Sequence, residues 1–483
     1  MNRYFIPGEG RREIPNRVYA RVDQVEPPNL EAAETVTVAL DAIDADWPHF
    51  SNGGSFDLVQ EGAGADGLAQ HWDNLFHGAG DLEQGEFDAL FDDLPLFQIE
   101  VTLPRRHGLI ERLLDEPSWL ELTFDRLGGI EADVFGGLFM QSIQAHVQDI
   151  LPVSTVVPVL EALFGTPQWP FATTYDLCDA LPARCRIDEL IMLDVGQGSA
   201  NALACPHGFV QAYFDAGCGV YRNHHTRPQT LEFCVCNRPP VILSHWDSDH
   251  WAGACVDRDL LERTWIVPSQ PLGLKHVAFG RDILRSGGRI LMLPPNVSSM
   301  AWDSAGQRLE LRRCTGCASD RNASGLVLIV EDKIADRSWL LTGDAPYNAI
   351  PGPLPGNVVA VVVPHHGADM GPASRPPVRG PHPYARLLYS FGPGNAHGRT
   401  GVRHPTAATV DAHVAANWPH GAWEAPPVPP PPPGTNIAGS EVLATAQHST
   451  NHLGGARVGW ASAPSPKAAS HVTCPKSMPA NQI

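Results

Sequence analysis

Ser244-His245-Trp246-Asp247-Ser248-Asp249-His250-Trp251-Ala252-Gly253 follows directly on the apolar run Val241-Ile242-Leu243. Four imidazole or carboxylate side chains fall between residues 245 and 250. On a regular strand alternate residues point to opposite faces, so four such groups cannot converge there. On a tight loop at a strand end they can, and imidazoles with carboxylates are the ligands that divalent metals use. The theme returns downstream. Leu340-Leu341-Thr342-Gly343-Asp344 places a carboxylate after one apolar run, and Val361-Val362-Val363-Pro364-His365-His366-Gly367 places two imidazoles after the next. Alone, Asp344 reads as a turn residue and the His-His-Gly as a loop. In series they supply the bridging carboxylate and closing histidine of a two-metal site.

The flanking sequence fits such a site. Between residues 186 and 460, strand-like runs lie at 190–195, 209–214, 240–243, 264–267, 326–330, 339–342 and 358–363, most ending in a polar cluster. Helix-like segments at 257–263 and 406–417 separate some of them. This pattern predicts a layered α/β sheet whose strand ends carry the chemistry. Residues 425–434 are nearly pure proline and read as a stiff insertion, and one more strand is expected at 456–460. The Ser/Pro/Ala-rich tail, 461–483, reads as disordered. Residues 1–187 support only an α+β reading, with an alternating strand at 97–103, a helix at 108–120 and helical pieces across 135–164 broken by Pro152 and Pro158.

The order His-x-Asp-x-Asp-His, Thr-Gly-Asp, His-His-Gly resembles the metallo-β-lactamase fold. It is most similar to the soluble domain of ComEC-like bacterial DNA-uptake proteins. Further motifs carry that likeness: Leu193-Asp194-Val195-Gly196-Gln197-Gly198 with Phe214-Asp215-Ala216-Gly217, Asp247 where a histidine is usual, Asn322 ahead of Leu326-Val327-Leu328, and Ser390–Asn395 running to His404-Pro405. The resemblance spans roughly residues 188–460 and implies an αββα sandwich there, with the acidic α+β domain preceding it. It also implies a metal shell of His245, Asp247, Asp249, His250, Asp344 and His365 or His366. Asp194 and Asn322 would stand behind these ligands, and Asn395 and His404 at the substrate rim. In that scheme Asp249 orients the nucleophile and His404 donates a proton or binds a phosphate oxygen. One or two divalent ions are implied, zinc or manganese, with the three aspartates favouring manganese. Ser199, Gly325 and an insertion at 399–403 depart from the family pattern.

Charge divides the chain in the same place. Residues 1–187 hold 31 Asp and Glu against 11 Arg and no Lys, a balance of −20, whereas the remainder holds 22 acids and 23 bases. An acidic half repels nucleic acid, so it suits a partner-docking or nucleic-acid-mimicking role better than DNA binding. Arg222, Arg227, Arg312, Arg313, Arg399 and Arg403 are the candidates for phosphate contacts. No apolar run reaches the roughly 20 residues a membrane helix needs, and the start lacks a signal-peptide pattern. Ten cysteines then read as cytoplasmic thiols, with Cys234, Cys236, Cys314 and Cys317 as a candidate four-thiolate zinc site, although neither pair sits in an obvious knuckle. The reading is a cytoplasmic metal-dependent hydrolase, first a phosphodiesterase or nuclease. The alternatives are a lactonase or other ester hydrolase, and a regulated partner-binding protein with a structural metal.

Overall fold

Period-two burial builds the first unit. In β1 (Arg17–Glu26) Val18 and Ala20 face inward, and in β2 (Thr35–Asp44) Val36, Val38, Leu40 and Ala42 do the same. With β3 (Leu96–Pro104), β4 (Leu120–Asp125), β5 (Ile130–Phe135) and β6 (Ile143–Pro152) they form a closed barrel in the order β1-β2-β3-β5-β6-β4. The computed structural model describes residues 1–26, 34–50, 89, 91–108, 110, 119–125, 128–153, 156–165, 167, 169–181, 185–397, 402–421, 423, 440–445 and 455–464.

One element of the α+β expectation for residues 1–187 is corrected here. Residues 135–164 were expected to be helical, but Ile143, Ala145 and Val147 alternate and make β6. Among the described residues of that stretch, only Val157–Phe164 is a helix. Most of the helix expected at 108–120 lies outside the described residues, and its last residue opens β4.

The chain forms two compact units. The first comprises Met1–Gln168 together with Leu272–Asp282; the second takes Trp169–Pro271, Ile283–His397 and most of the chain beyond. Residues 169–187, which the charge division placed in the acidic half, thus fall in the second unit. The borrowed segment lies in the helix Leu274–Arg285. Its Phe279 meets Phe5 edge-on, and its Lys275 Nζ sits 2.5 Å from Asp23 Oδ2, 3.1 Å from Asp41 Oδ1 and 2.8 Å from Gln98 Oε1. Asp23 and Asp41 point away from the barrel interior and are buried by this helix, so their charges require the ammonium.

The second unit has two seven-stranded sheets. The first runs β12-β11-β10-β9-β8-β7-β20, from β7 (Glu189–Met192), β8 (Ala200–Ala204), β9 (Val210–Ala216), β10 (Val241–Ile242), β11 (Thr264–Pro268), β12 (Arg289–Leu293) and β20 (Ala456–Val458). The second runs in sequence order: β13 (Ser299–Ser304), β14 (Gln307–Arg313), β15 (Leu326–Asp332), β16 (Arg337–Leu341), β17 (Val358–Val362), β18 (Arg386–Tyr389) and β19 (Val442–Ala444). One core joins them, with Leu203, Phe214, Ile242 and Ile266 of the first sheet against Leu311, Leu328, Leu341 and Val362 of the second. The helix Ala407–Ala415, capped by Thr406, packs Val410 on the outer face of the second sheet. This is the expected mixed α/β sandwich.

Topology then concentrates the strand ends. β9 and β10 are parallel, as are β16 and β17, so the carboxyl ends of β16 and β17 emerge on one edge. Ser244, just after β10, reaches the same edge: its carbonyl accepts from the Leu326 amide at 2.7 Å. The proline-rich insertion 425–434 and nearly all of the tail lie outside the described residues. Among the described residues, no helix is long and apolar enough to cross a membrane.

Candidate metal centre

Three strand-end loops deliver the sequence-singled residues to one place. His245, Asp247, Asp249 and His250 come from the loop after β10, Asp344 from that after β16, and His365 and His366 from that after β17. His250 Nε2 lies 3.1 Å from Asp344 Oδ1 and 4.0 Å from Asp249 Oδ1. His366 Nε2 lies 3.2 Å from Asp249 Oδ2 and 3.9 Å from Asp344 Oδ2. On the other side, His245 Nε2 is 3.4 Å from Asp247 Oδ2 and 3.8 Å from Asp344 Oδ2, and His365 Nε2 is 3.7 Å from Asp344 Oδ2. Asp344 stands between the two groups.

The tandem histidines aim inward because both adopt left-handed backbone, φ 49° at His365 and 54° at His366. Two consecutive non-glycine residues there carry strain, which surrounding structure must hold. Gly367 continues the turn at φ 86°, where a Cβ would lie 2.4 Å from Pro405 Cβ, so only glycine fits.

Hydrogen bonds set the ring orientations. His250 Nδ1–H donates to Asp215 Oδ2 at 2.8 Å, and His366 Nδ1–H donates to the Ser390 carbonyl at 2.8 Å. His245 Nδ1–H donates to Ser244 Oγ at 2.9 Å, while the Ser244 hydroxyl and amide both donate to Asp215, at 2.9 and 2.7 Å. Each Nε2 is thereby left facing the carboxylates. His245 Nε2 and His250 Nε2 are buried without a well-aligned hydrogen-bond partner.

Such orphaned nitrogens beside clustered carboxylates fit a divalent ion. Ligands about 2.1 Å from one ion stand roughly 3.0–3.5 Å apart, close to the spacings found here. Two triads within this cluster bring their ligand atoms within 4.8 Å of one another: His245, His250 and Asp344, and Asp249, His250 and His366.

The electrostatics agree. Burial opposes ionisation of Asp344, but His250, His365 and His366 outweigh it and hold the carboxyl well below its ordinary range. Burial likewise opposes ionisation of Asp247, and Arg321 and His245 outweigh it. Burial would lower His250, yet Asp344 and Asp215 raise it well above the ordinary value. The cluster gathers three carboxylates and four imidazoles at one place, a donor set suited to a divalent cation.

The remaining expected residues are placed as follows. Asn322 Nδ2 lies 3.5 Å from His365 Nδ1, behind that ring. Asp194 accepts from the Gly196 amide at 3.2 Å, and the carboxylate touching His250 is Asp215 instead. Asn395 spends its amide on the loop: Nδ2 donates to the carbonyls of Gly392 and His404, and Oδ1 accepts from the His404 amide. His404 packs edge-on against His365 at 5.5 Å and stacks on His397 at 3.8 Å. Burial first, then His397, His365 and His366, holds it well below its ordinary pKa, so it rests neutral.

Of the arginines, Arg313 bonds four backbone carbonyls and Arg312 bonds Glu310 and the carbonyls of Pro351 and Pro353, so both are committed internally. Arg222 lies within the turn Tyr221–Thr226 and Arg227 follows it; Asn223 and Thr226 of that turn accept from the amides of Ala396 and Gln197. Arg403 precedes His404, and Arg399 lies outside the described residues. Cys234 and Cys314 are buried while Cys236 and Cys317 are exposed. None of the four enters a metal-ligating group among the described residues.

Arg321 was not anticipated. Its Nε–H donates to Asp247 Oδ1 at 2.6 Å, with both side chains more than nine-tenths buried. A short helix, Arg321–Ser324, carries it beside Asn322.

No family model matches the sequence, and no curated protein does. Solved structures similar to it include Zn(2+)-bound PqqB from Methylobacterium extorquens, at 11% identity over 36% of this chain and 72% of that one, TM-score 0.24. An archaeal metallo-beta-lactamase superfamily protein from Sulfolobus tokodaii aligns at 18% identity over 36% and 68%, TM-score 0.20. An isothiocyanate hydrolase from Delia radicum gut bacteria aligns at 12% over 56% and 99%, TM-score 0.28. These scores are too low to establish a shared fold by themselves; the sandwich and its strand-end cluster are properties of this chain.

Proposed function

We propose that this chain is a metal-dependent hydrolase of phosphodiesters, with nucleic acid as its leading substrate. The observation that carries the reading is the convergence of Asp249, His250, Asp344 and His366 from three loops onto one buried point. A divalent ion bound there supplies an activated water and neutralises charge developing on a phosphoryl oxygen. The protein's own part is geometric. Asp215 and the Ser390 carbonyl fix the two imidazoles, and Asp344 joins the halves of the site. Asp249, 3.2 Å from His366, would hold one ion and orient the nucleophile. His404, neutral and packed on His365, offers a ring N–H to a phosphate oxygen rather than a proton to a leaving group.

The ComEC-like motifs and the oxygen-rich shell support a phosphodiester over a lactone or thioester. Arg222, Arg227 and Arg403, near the rim, supply cationic groups for phosphate oxygens. The test is chelator-stripped protein reconstituted with Mn2+ or Zn2+, offered bis(p-nitrophenyl) phosphate, single-stranded DNA, an aliphatic lactone and a thioester in parallel. Cleavage of the first two, absent in Asp249→Ala, is the expected result. Turnover of the lactone or thioester alone would assign the site to ester hydrolysis. Inactivity on all four, with metal bound, would favour the partner-binding alternative.

A further inference from the structure

The two sides of the cluster differ in what stands behind each ligand. On one side His250 is backed by the Asp215 carboxylate and His366 by the Ser390 carbonyl, each at 2.8 Å. On the other, His245 is backed by the Ser244 hydroxyl at 2.9 Å and His365 only by the Asn322 amide at 3.5 Å. A carboxylate or carbonyl behind an imidazole makes it a better fixed and more basic ligand. Asp247, moreover, already shares its charge with Arg321 across 2.6 Å. A guanidinium stays protonated at any working pH, and at this depth salt and solvent screen it little. It therefore competes with a second cation for Asp247 and repels one placed beside it.

We propose that Arg321 is a positioning residue that makes the two ion positions unequal. A tight position uses Asp249, His250 and His366 with Asp344. A weak one uses His245, Asp247 and His365 with the same Asp344, and it fills only at higher free metal. This inference rests on the metal-centre reading above and adds to it which ion is resident and why.

The test is a metal count on the full-length protein. Protein loaded with Mn2+ is dialysed into metal-free buffer, the retained ions are counted by plasma mass spectrometry, and both binding steps are followed by calorimetry. About one ion per chain should be retained, with the second bound at least about tenfold more weakly. Asp247→Asn should keep the retained ion, and Asp249→Asn should lose it. Arg321→Met should tighten the second step about tenfold or more, whereas Arg321→Lys, which keeps the charge, should leave it weak. Two ions held equally, or loss of the retained ion in Asp247→Asn, would overturn the inference while the metal centre stands. Protein that binds no ion at any concentration would overturn the metal reading itself, and this inference with it. Should Arg321→Met fail to fold, the comparison of Asp247→Asn with Asp249→Asn decides.

Discussion

Asp215 shows how much of the centre depends on groups that touch no ligand position. It accepts from His250 Nδ1, from the Ser244 hydroxyl and from the Ser244 amide, and is fully buried. Asp215→Asn should lower metal affinity by about 10–100-fold while far-ultraviolet circular dichroism stays unchanged. Unaltered retention after dialysis would contradict that role. His413, away from the centre, sets a different dependence. Its Nδ1–H donates to the Thr409 carbonyl and its Nε2 accepts from the Tyr347 hydroxyl, and burial pushes its pKa down to about 4 from 6.5. The unfolded chain therefore takes up this proton before the folded one does. Its contribution to stability is complete above pH 6.5 and is lost as pH falls toward 4, by at most about 3 kcal/mol. Urea midpoints between pH 4 and 7 should fall less steeply in His413→Gln than in the unaltered protein. At this scale the sequence was readable where ligands lie close along the chain, as from His245 to His250. Asp215 stood in a quoted motif, but its pairing with His250 exists only because β9 lies beside β10. Arg321 was unreadable for the same reason, since nothing local marks it as the partner of Asp247.

Loop backbone positions the ligands as strictly as their side chains do. Gly217 passes under the first metal loop so closely that a Cβ would lie 1.6 Å from the Asp249 carbonyl and 2.7 Å from His250 Cα. Gly217→Ala should therefore displace Asp249 and His250 together and reduce turnover on the order of 10²-fold, since a shift of about 1 Å suffices for that loss. A variant with full activity would show that the loop yields without consequence. Long apolar runs such as Val358–Val362 and Leu326–Asp332 announced their strands, and Thr406 with the spacing after it announced the helix Ala407–Ala415. Two of the missed strands bury few apolar residues: β13 buries Trp302 and Ser304, and β14 alternates Leu309 and Leu311 with charges. Pairing partners supply what their composition lacks. β6 was misread because Pro152 and scattered apolar residues imitate a broken helix, whereas only three inward positions matter.

Across the whole molecule, the division of charge at residue 187 does not coincide with the division into compact units. The helix Leu274–Arg285 belongs largely to the barrel unit, and Lys275 is the first lysine in the chain. Lys275→Met should leave Asp23 and Asp41 buried without their ammonium and cost roughly 3–5 kcal/mol. Urea unfolding of the full chain should show it as an earlier first transition, with metal retention at the second unit unchanged. Coincident transitions for the variant and the unaltered protein would remove Lys275 from that role.

The same ion pair sets an order of events during synthesis. A ribosome that has made β1 and β2 has placed Asp23 and Asp41 in a sheet whose outer face cannot yet be covered, because Lys275 has not been translated. Strands β7 to β11 leave the exit tunnel first, so the barrel that begins the chain is sealed only after much of the sandwich has emerged. Any fragment ending before that helix, including one cut at residue 187, is born without the ammonium that Lys275 brings to those two aspartates. Translation runs from one end, but this protein closes from the middle.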